Sequence, residues 1–219
     1  MVITLDGPSG TGKSTLAKML AKELKFKFLN TGMIYRTIAY FLLTHNILPQ
    51  DKDAVSEVVG SLEVEIKHNN DDQFVIINNV DCTPFVSSTI VQQNVSFYSQ
   101  IPALRGVVLK LQRNFAKTNN IVIEGRDIGT EVFPNAEFKF YIDCDIKIRA
   151  IRRFNDLQKG NSNITLKEVE KSLQNRDYLD KTREISPLVM PKDAIVIDTS
   201  NKSADESLNE ILSFINNRR

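Results

Sequence analysis

The chain has 219 residues, 42% of them hydrophobic and 25% charged, with a formal net charge of +1; it is long enough to bury one full core with a small insert and has the make-up of an ordinary soluble globular protein. So small a net charge excludes a global field for nucleic acid or an anionic membrane, and no apolar run approaches the roughly 20 residues of a membrane span. Cys82 and Cys144 lie far apart without clustered histidines, which excludes a disulfide framework or a zinc site; both are expected to be small buried thiols.

In chain order, residues 2–5 form a short apolar, β-branched run that predicts a strand, entered without a basic-then-apolar leader, so a cytoplasmic location is expected. Residues 14–24 place apolar side chains at helical spacing, and between strand and helix lies Gly7-Pro8-Ser9-Gly10-Thr11-Gly12-Lys13-Ser14, the pattern G-x-x-x-x-G-K-[ST] in a strand–loop–helix setting. Residues 26–29 alternate as a second strand, and Asn30-Thr31-Gly32 turns into a helix over 33–43, repeating the unit. A loop at 49–53 precedes a short helix ending near Gly60. Residues 63–67 alternate with period two, Asn69-Asn70-Asp71-Asp72 supplies turn chemistry and 74–77 returns, which predicts an antiparallel hairpin. The hairpin interrupts the β/α alternation and is read as part of an inserted substrate-binding subdomain.

Helical patterns resume over about 88–99 and 102–116. Residues 121–123 read as a buried central strand ended by Glu124-Gly125-Arg126-Asp127, and 138–142 as another, followed by a basic helix from about Ile146. Gly160-Asn161-Ser162-Asn163 breaks that helix, and Thr165-Leu166-Lys167-Glu168 is a capping box that opens the next, so the pair could move as a lid. Residues 194–198 are a last strand, and Ser203-Ala204-Asp205-Glu206 caps a C-terminal helix.

The glycines of the first loop let successive N–H groups point inward at phosphate oxygens, and the helix that follows adds partial positive charge. Lys13 is then expected on the β- and γ-phosphates and Ser14 on Mg²⁺. A Gly-rich turn with a surface lysine is the bland alternative, and it leaves the full spacing unexplained. Arginines gather where a ligand crevice should lie. Arg126 and Asp127 end a central strand beside the phosphate loop; Arg36 lies one turn into the second helix; Arg149, Arg152 and Arg153 share one helix face, and Arg176, Asp180 and Arg183 another. Singly, each reads as a solvated or salt-bridged residue. Together they point to a second anionic substrate. A phosphate-monoester acceptor, with a second pKa of about 6, is already mostly dianionic and needs no base, and no buried His or Asp base is evident. His45 and His68 read as surface residues.

On these residues the chain resembles the bacterial-type cytidylate kinases, P-loop nucleoside monophosphate kinases, nearly end to end. The features that carry the likeness are Leu5-Asp6-Gly7-Pro8-Ser9-Gly10, Thr31-Gly32-Met33-Ile34-Tyr35-Arg36, Gly125-Arg126-Asp127-Ile128-Gly129-Thr130 with Val132-Phe133-Pro134, Arg176-Asp177 with Asp180 and Arg183, and Ser186-Pro187-Leu188-Val189. The resemblance implies an α/β P-loop NTPase fold in a single domain, with a five-stranded parallel sheet flanked by helices. The core would span 1–30, 100–148 and 181–219, a monophosphate-binding insert with an antiparallel hairpin about 31–99, and a short helical lid about 149–180.

The resemblance further implies a monomeric enzyme of pyrimidine nucleotide metabolism that uses ATP and Mg²⁺ to phosphorylate CMP or dCMP, with no nucleic-acid or membrane partner. Gly7, Pro8, Ser9, Gly10, Thr11, Gly12, Lys13, Ser14 and Thr15 would bind ATP, with Ser14 on the metal, and Lys13, Arg126, Arg149 and Arg153 would act on the migrating phosphoryl group. Thr31, Arg36 and Arg126 would hold the acceptor phosphate, Arg176 and Asp180 would address the ribose, and Ser96, Arg105, Asp127 and Arg183 would recognise cytosine. That last set is chemically coherent, because the exocyclic amine needs an acceptor while O2 and N3 need donors. Thr31 stands where serine is common in the family, Glu124 where aspartate is, and Ser87, Leu179 and Lys181-Thr182 where arginine is frequent. A broad UMP/CMP kinase and a P-loop switch or ATPase stay open as alternatives.

Overall fold

The β-branched run at the N-terminus becomes the middle strand of the molecule. The computed structural model describes residues 1–69, 72–158 and 164–217. Along the chain they form β1 (Val2–Asp6), α1 (Lys13–Leu24), β2 (Lys27–Asn30), α2 (Thr31–Thr44), α3 (Lys52–Ser61), β3 (Val64–Asn69), β4 (Asp72–Ile77), β5 (Val80–Asp81), α4 (Thr89–Tyr98), α5 (Pro102–Lys117), β6 (Ile121–Gly125), β7 (Phe138–Asp143), α6 (Ile146–Gln158), α7 (Leu166–Thr182), β8 (Ile195–Asp198) and α8 (Ala204–Asn216).

Five strands make the main sheet in the order β2-β6-β1-β7-β8, every pair parallel. A parallel sheet must be covered on both faces, and the alternation in β6 shows how. Ile121 and Ile123 enter one core with Leu29, Ile34, Ile38, Leu42, Leu104 and Val108, while Val122 enters the other with Leu5, Leu16, Leu20, Phe140, Ile197 and Ile211. Asp6 pairs in register with Gly125, so the loops leaving β1 and β6 emerge side by side. That places the phosphate loop next to Arg126 and Asp127, at the carboxyl ends of the strands.

The fold class and the five main strands match the expectation from sequence. Two details differ. The hairpin gains a third strand, β5, paired antiparallel to β4. The hairpin lies outside the main sheet and packs on it: Val75 and Ile77 of β4 and Val55 and Val59 of α3 share the core with Leu29 and Ile123 of the main sheet. His68, read as a surface residue, is half-buried and donates from Nε2 to Phe28 O at 2.7 Å; the carbonyl can only accept, so Nε2 carries the proton.

Both capping boxes form, Thr165 with Glu168 and Ser203 with Glu206. Cys82 and Cys144 are free and buried, as expected. The predicted break at Gly160-Asn161-Ser162-Asn163 and the hairpin residues Asn70 and Asp71 lie outside the described residues. Helices α6 and α7 pack on each other through Ala150, Val169 and Leu173, a core separate from the two that sandwich the sheet. Burying so few side chains contributes on the order of 5 kcal/mol, far less than the main cores, so this helix pair sits at the low end of the local stability range.

Candidate active site

The phosphate loop starts from a buried carboxylate. Asp6, the last residue of β1, accepts from Ile128 N at 2.9 Å and Gly129 N at 2.7 Å, anchoring the turn after Arg126-Asp127. Burial raises its pKa to about 6 in spite of those two bonds. Gly7 follows at φ +146°, where a Cβ would collide with the Ile142 carbonyl, and Gly12 at φ +90° opens α1 in a conformation that costs glycine little. Thr11 Oγ1 donates to Pro8 O at 3.2 Å, and Thr199 Oγ1 reaches from beyond β8 to Thr11 O at 2.9 Å. Lys13 is folded into this ring, donating to Pro8 O at 2.5 Å and to Thr11 Oγ1 at 3.3 Å. Burial first, and Arg126 second, lower its pKa from 10.5 to about 7. A cation so depressed is stabilised by any anion that enters the loop.

Ser14 Oγ donates to Glu124 Oε1 at 2.7 Å, so the longer acid at this position reaches the serine directly. Thr15 follows it on the exposed side of α1. At the other end of the loop, Ser9 N donates to Asp177 Oδ1 at 3.4 Å while Ser9 O accepts from Arg149 at 3.0 Å.

Beside the loop stands a group of mutually repelling cations. Arg126 Nε pairs with Asp180 Oδ2 at 2.8 Å; burial opposes its charge, but Asp180, Glu124 and Asp177 together raise the Arg126 pKa. Arg36 folds back over Gly32, and burial, then Arg126 and Arg153, lower its pKa against the pull of Glu124. Arg176 is lowered to about 10 by burial and by Arg126, Arg36 and Arg153, against Asp180. Its Nε is buried without a hydrogen-bond partner among the described residues. Clustered guanidinium groups around an unused donor could hold an anion. The Thr31 hydroxyl donates to Glu124 O, where it ties α2 to β6. While its proton is given there, a phosphate oxygen cannot receive it.

A second arrangement lies on the far side of Arg126. The Asp127 carboxylate sits between Arg105, which donates to Oδ2, and Arg183, whose guanidinium is 3.3 Å from Oδ1. Arg105 also donates to Ser99 O at 3.1 Å and lies 5.9 Å from the Tyr35 ring centroid. Arg183 donates from Nε to Ser186 O at 2.5 Å, with Ser186 at φ +50°. Ser96 is one helical turn ahead of this group in α4, and its carbonyl accepts from Ser99 Oγ at 3.0 Å and Gln100 Nε2 at 2.9 Å. Alternating donor and acceptor groups of this kind can read the edge of a planar heterocycle.

The three lid arginines do not act as one face. Arg149 is buried, pairs with Asp177 at 2.6 Å and holds Cys144 O and Ser9 O. Arg152 turns the other way and donates to Thr199 O at 2.6 Å, bracing the turn after β8. Arg153 alone faces Arg36 and Arg176. Asp177, which joins α7 to the phosphate loop, has no role that the local sequence reveals. The one available signal was its place beside Arg176, and helical spacing puts adjacent residues on different faces. Asp6 and Tyr35 stand inside motifs that give neither a role of its own.

A family model described as cytidylate kinase matches residues 3–217. A protein named cytidylate kinase from Clostridium botulinum (strain Loch Maree / Type A3) is 37% identical over 97% of this chain and 96% of its own. Another of that name, from Caldanaerobacter subterraneus subsp. tengcongensis, is 38% identical over 97% of this chain and 93% of its own. Among solved structures, TT1252 from Thermus thermophilus superposes with a TM-score of 0.52 at 14% identity, over 100% of this chain and 97% of the other, a likeness of fold alone.

Proposed function

The chain belongs to the cytidylate kinase family, and from that premise we propose that it transfers the γ-phosphoryl group of ATP to CMP or dCMP, giving ADP and the diphosphate. The observation that carries the acceptor assignment is Asp127 between Arg105 and Arg183. The cytosine amine would donate to the Asp127 carboxylate while O2 and N3 accept from the guanidinium groups. Uracil presents O4 where cytosine has its amine, an acceptor facing a carboxylate, and a buried polar site rejects such a mismatch strongly. The acceptor phosphate would enter among Arg36, Arg126, Arg153 and the free Nε of Arg176, with the ribose near Arg176 and Asp180.

On the donor side the loop amides and Lys13 would hold the triphosphate. Phosphoryl transfer asks the protein for position and charge neutralisation, and Lys13, Arg126 and Arg153 would supply the latter. Arg149, paired with Asp177 in this state, would act on the phosphates only after exchanging that partner. No base is assigned, because each buried aspartate beside the site is already engaged: Asp6 by two amides and Asp127, Asp177 and Asp180 by arginines. Among the described residues no cluster of three or more His, Cys, Asp or Glu could hold a metal. Ser14 Oγ and Glu124 Oε1, 2.7 Å apart, are hard oxygen donors that suit Mg²⁺ brought in on the triphosphate. That ion would neutralise phosphate charge.

No helix among the described residues is long and apolar enough to cross a membrane. An ADP-release assay with ATP and Mg²⁺ across CMP, dCMP, UMP and AMP tests the proposal. CMP and dCMP are expected to exceed UMP in kcat/KM by about 100-fold or more. Equal use of UMP would instead make this a broad pyrimidine kinase, and acceptor-independent ADP release a switch or ATPase.

A further inference from the structure

Strand β2 lies at one edge of the main sheet, so alternate backbone groups face away from β6 with no strand to pair them. Side chains of the hairpin supply the partners. His68 donates to Phe28 O at 2.7 Å. Two residues further along β2, Gln73 Oε1 accepts from Asn30 N at 2.7 Å and Gln73 Nε2 donates to Asn30 O at 3.2 Å. His68 and Gln73 stand opposite each other across β3 and β4. A single rung of the hairpin therefore replaces the missing neighbour strand. Gln73 is only 4% exposed, and a primary amide is the one side-chain group that offers a donor and an acceptor to the same residue in this way.

Asn30 is where this grip matters. Its side chain accepts from Met33 N at 2.8 Å and caps α2. Thr31 comes next, and the Arg36 guanidinium lies so close over Gly32 that a Cβ there would be 2.9 Å from Arg36 Nη1. The order of support runs from the hairpin through Gln73 to Asn30, and from Asn30 to the first turn of α2 and Arg36. The phosphate loop has braces of its own in Thr199, Asp177 and Arg149.

We infer that Gln73 is a positioning residue for the acceptor phosphate: by fixing both backbone groups of Asn30 it sets the N-terminus of α2 and, through it, Arg36. The inference rests on the acceptor reading above and assigns the hairpin a part in acceptor affinity that the donor site does not share. Losing the amide leaves a buried N–H and C=O to find other partners, and β2 can reach water only by shifting Asn30.

The test is steady-state kinetics of Gln73→Leu and the nearly isosteric Gln73→Glu, which keeps an acceptor for Asn30 N but has no donor for Asn30 O. KM for CMP is expected to rise about tenfold in Gln73→Leu and about fivefold in Gln73→Glu, with kcat and KM for ATP within about twofold of wild type. A purely structural role would lower the thermal midpoint and move both KM values together, and that result overturns the inference. An unchanged KM for CMP in folded Gln73→Glu overturns it as well, and Gln73→Glu decides the matter if Gln73→Leu does not fold. A wild-type enzyme inert toward CMP overturns the acceptor reading and this inference with it; an active wild type with insensitive variants overturns the inference alone.

Discussion

The donor side of the site is a run of consecutive residues closed largely on itself, with Lys13 and Thr11 turned back onto Pro8 O. The proposed acceptor side is assembled from Arg36, Arg105, Arg126, Arg153, Arg176 and Arg183, spread over much of the chain, with Asp127 pairing Arg105 and Arg183 and Asp180 pairing Arg126. The first gets its geometry chiefly from glycine backbone and a helix N-terminus, which are local, with braces from Arg149, Asp177 and Thr199. The second gets it from ion pairs between distant elements. The contrast extends to what a ligand must do. On the proposed reading a triphosphate would enter a loop whose lysine is turned onto Pro8 O and Thr11 Oγ1, whereas an acceptor nucleotide would share or replace the carboxylates that pair Arg105, Arg126 and Arg183.

The sharpest way to break this comparison is to damage one side and ask whether the other notices. Lys13→Ala should lower kcat by about two to three orders of magnitude, as expected for the loss of one strong electrostatic donor. Turnover near wild type in the folded variant would remove the phosphate loop from the chemistry.

On the other side, Asp127→Asn leaves Arg105 and Arg183 without their shared carboxylate. Removing one member of a buried charge group typically costs about 3 kcal/mol or more, so kcat/KM for CMP should fall about 100-fold. The gap between CMP and UMP should narrow, since an amide can also donate to O4. Unchanged values for both nucleotides would mean that Asp127 does not read the base.

Gly32→Ala sharpens the comparison within α2. The added methyl would lie 2.9 Å from Arg36 Nη1 and 3.3 Å from Asn30 Oδ1, and it must displace the guanidinium. KM for CMP should rise by about fivefold, the order of a 1 kcal/mol packing cost. KM for ATP, measured in the same assay, should hold.

Much of this was legible in the sequence, and the reason is again locality. The glycine spacing, the two capping boxes and the buried apolar run of β6 each depend on neighbours a few positions apart, and each appears in the structure. Asp177 and Gln73 could not be found that way. Gln73 acts across 43 positions on Asn30, and Asp177 across 168 on Ser9. His68 was misread for the same reason, because a turn-flanking histidine gives no local sign that it will reach an edge strand. The lid arginines share one helical face by spacing, yet the partners that separate them, Asp177, Thr199 and the Arg36–Arg176 group, come from elsewhere in the chain.

The smallest expected effect is a proton. Lys13 has a folded-state pKa of about 7 against the ordinary 10.5. Between those values the unfolded chain binds more protons than the folded one, so this group makes stability rise with pH across that window. A bound triphosphate supplies the missing countercharge and raises the pKa again. Binding of a non-hydrolysable ATP analogue at pH 8 should therefore take up about one proton, and at pH 6 almost none. Calorimetry in buffers of different ionisation enthalpy measures this directly; an enthalpy that does not change with the buffer at pH 8 would contradict the depressed lysine.

The two-sided construction itself is tested most directly by titrating CMP, and then UMP, into the Lys13→Ala enzyme without ATP, followed by calorimetry. An acceptor site built independently of the loop should bind CMP with a Kd within about twofold of wild type and UMP at least about tenfold more weakly. Loss of CMP binding in this variant, or equal affinity for the two nucleotides, would contradict it.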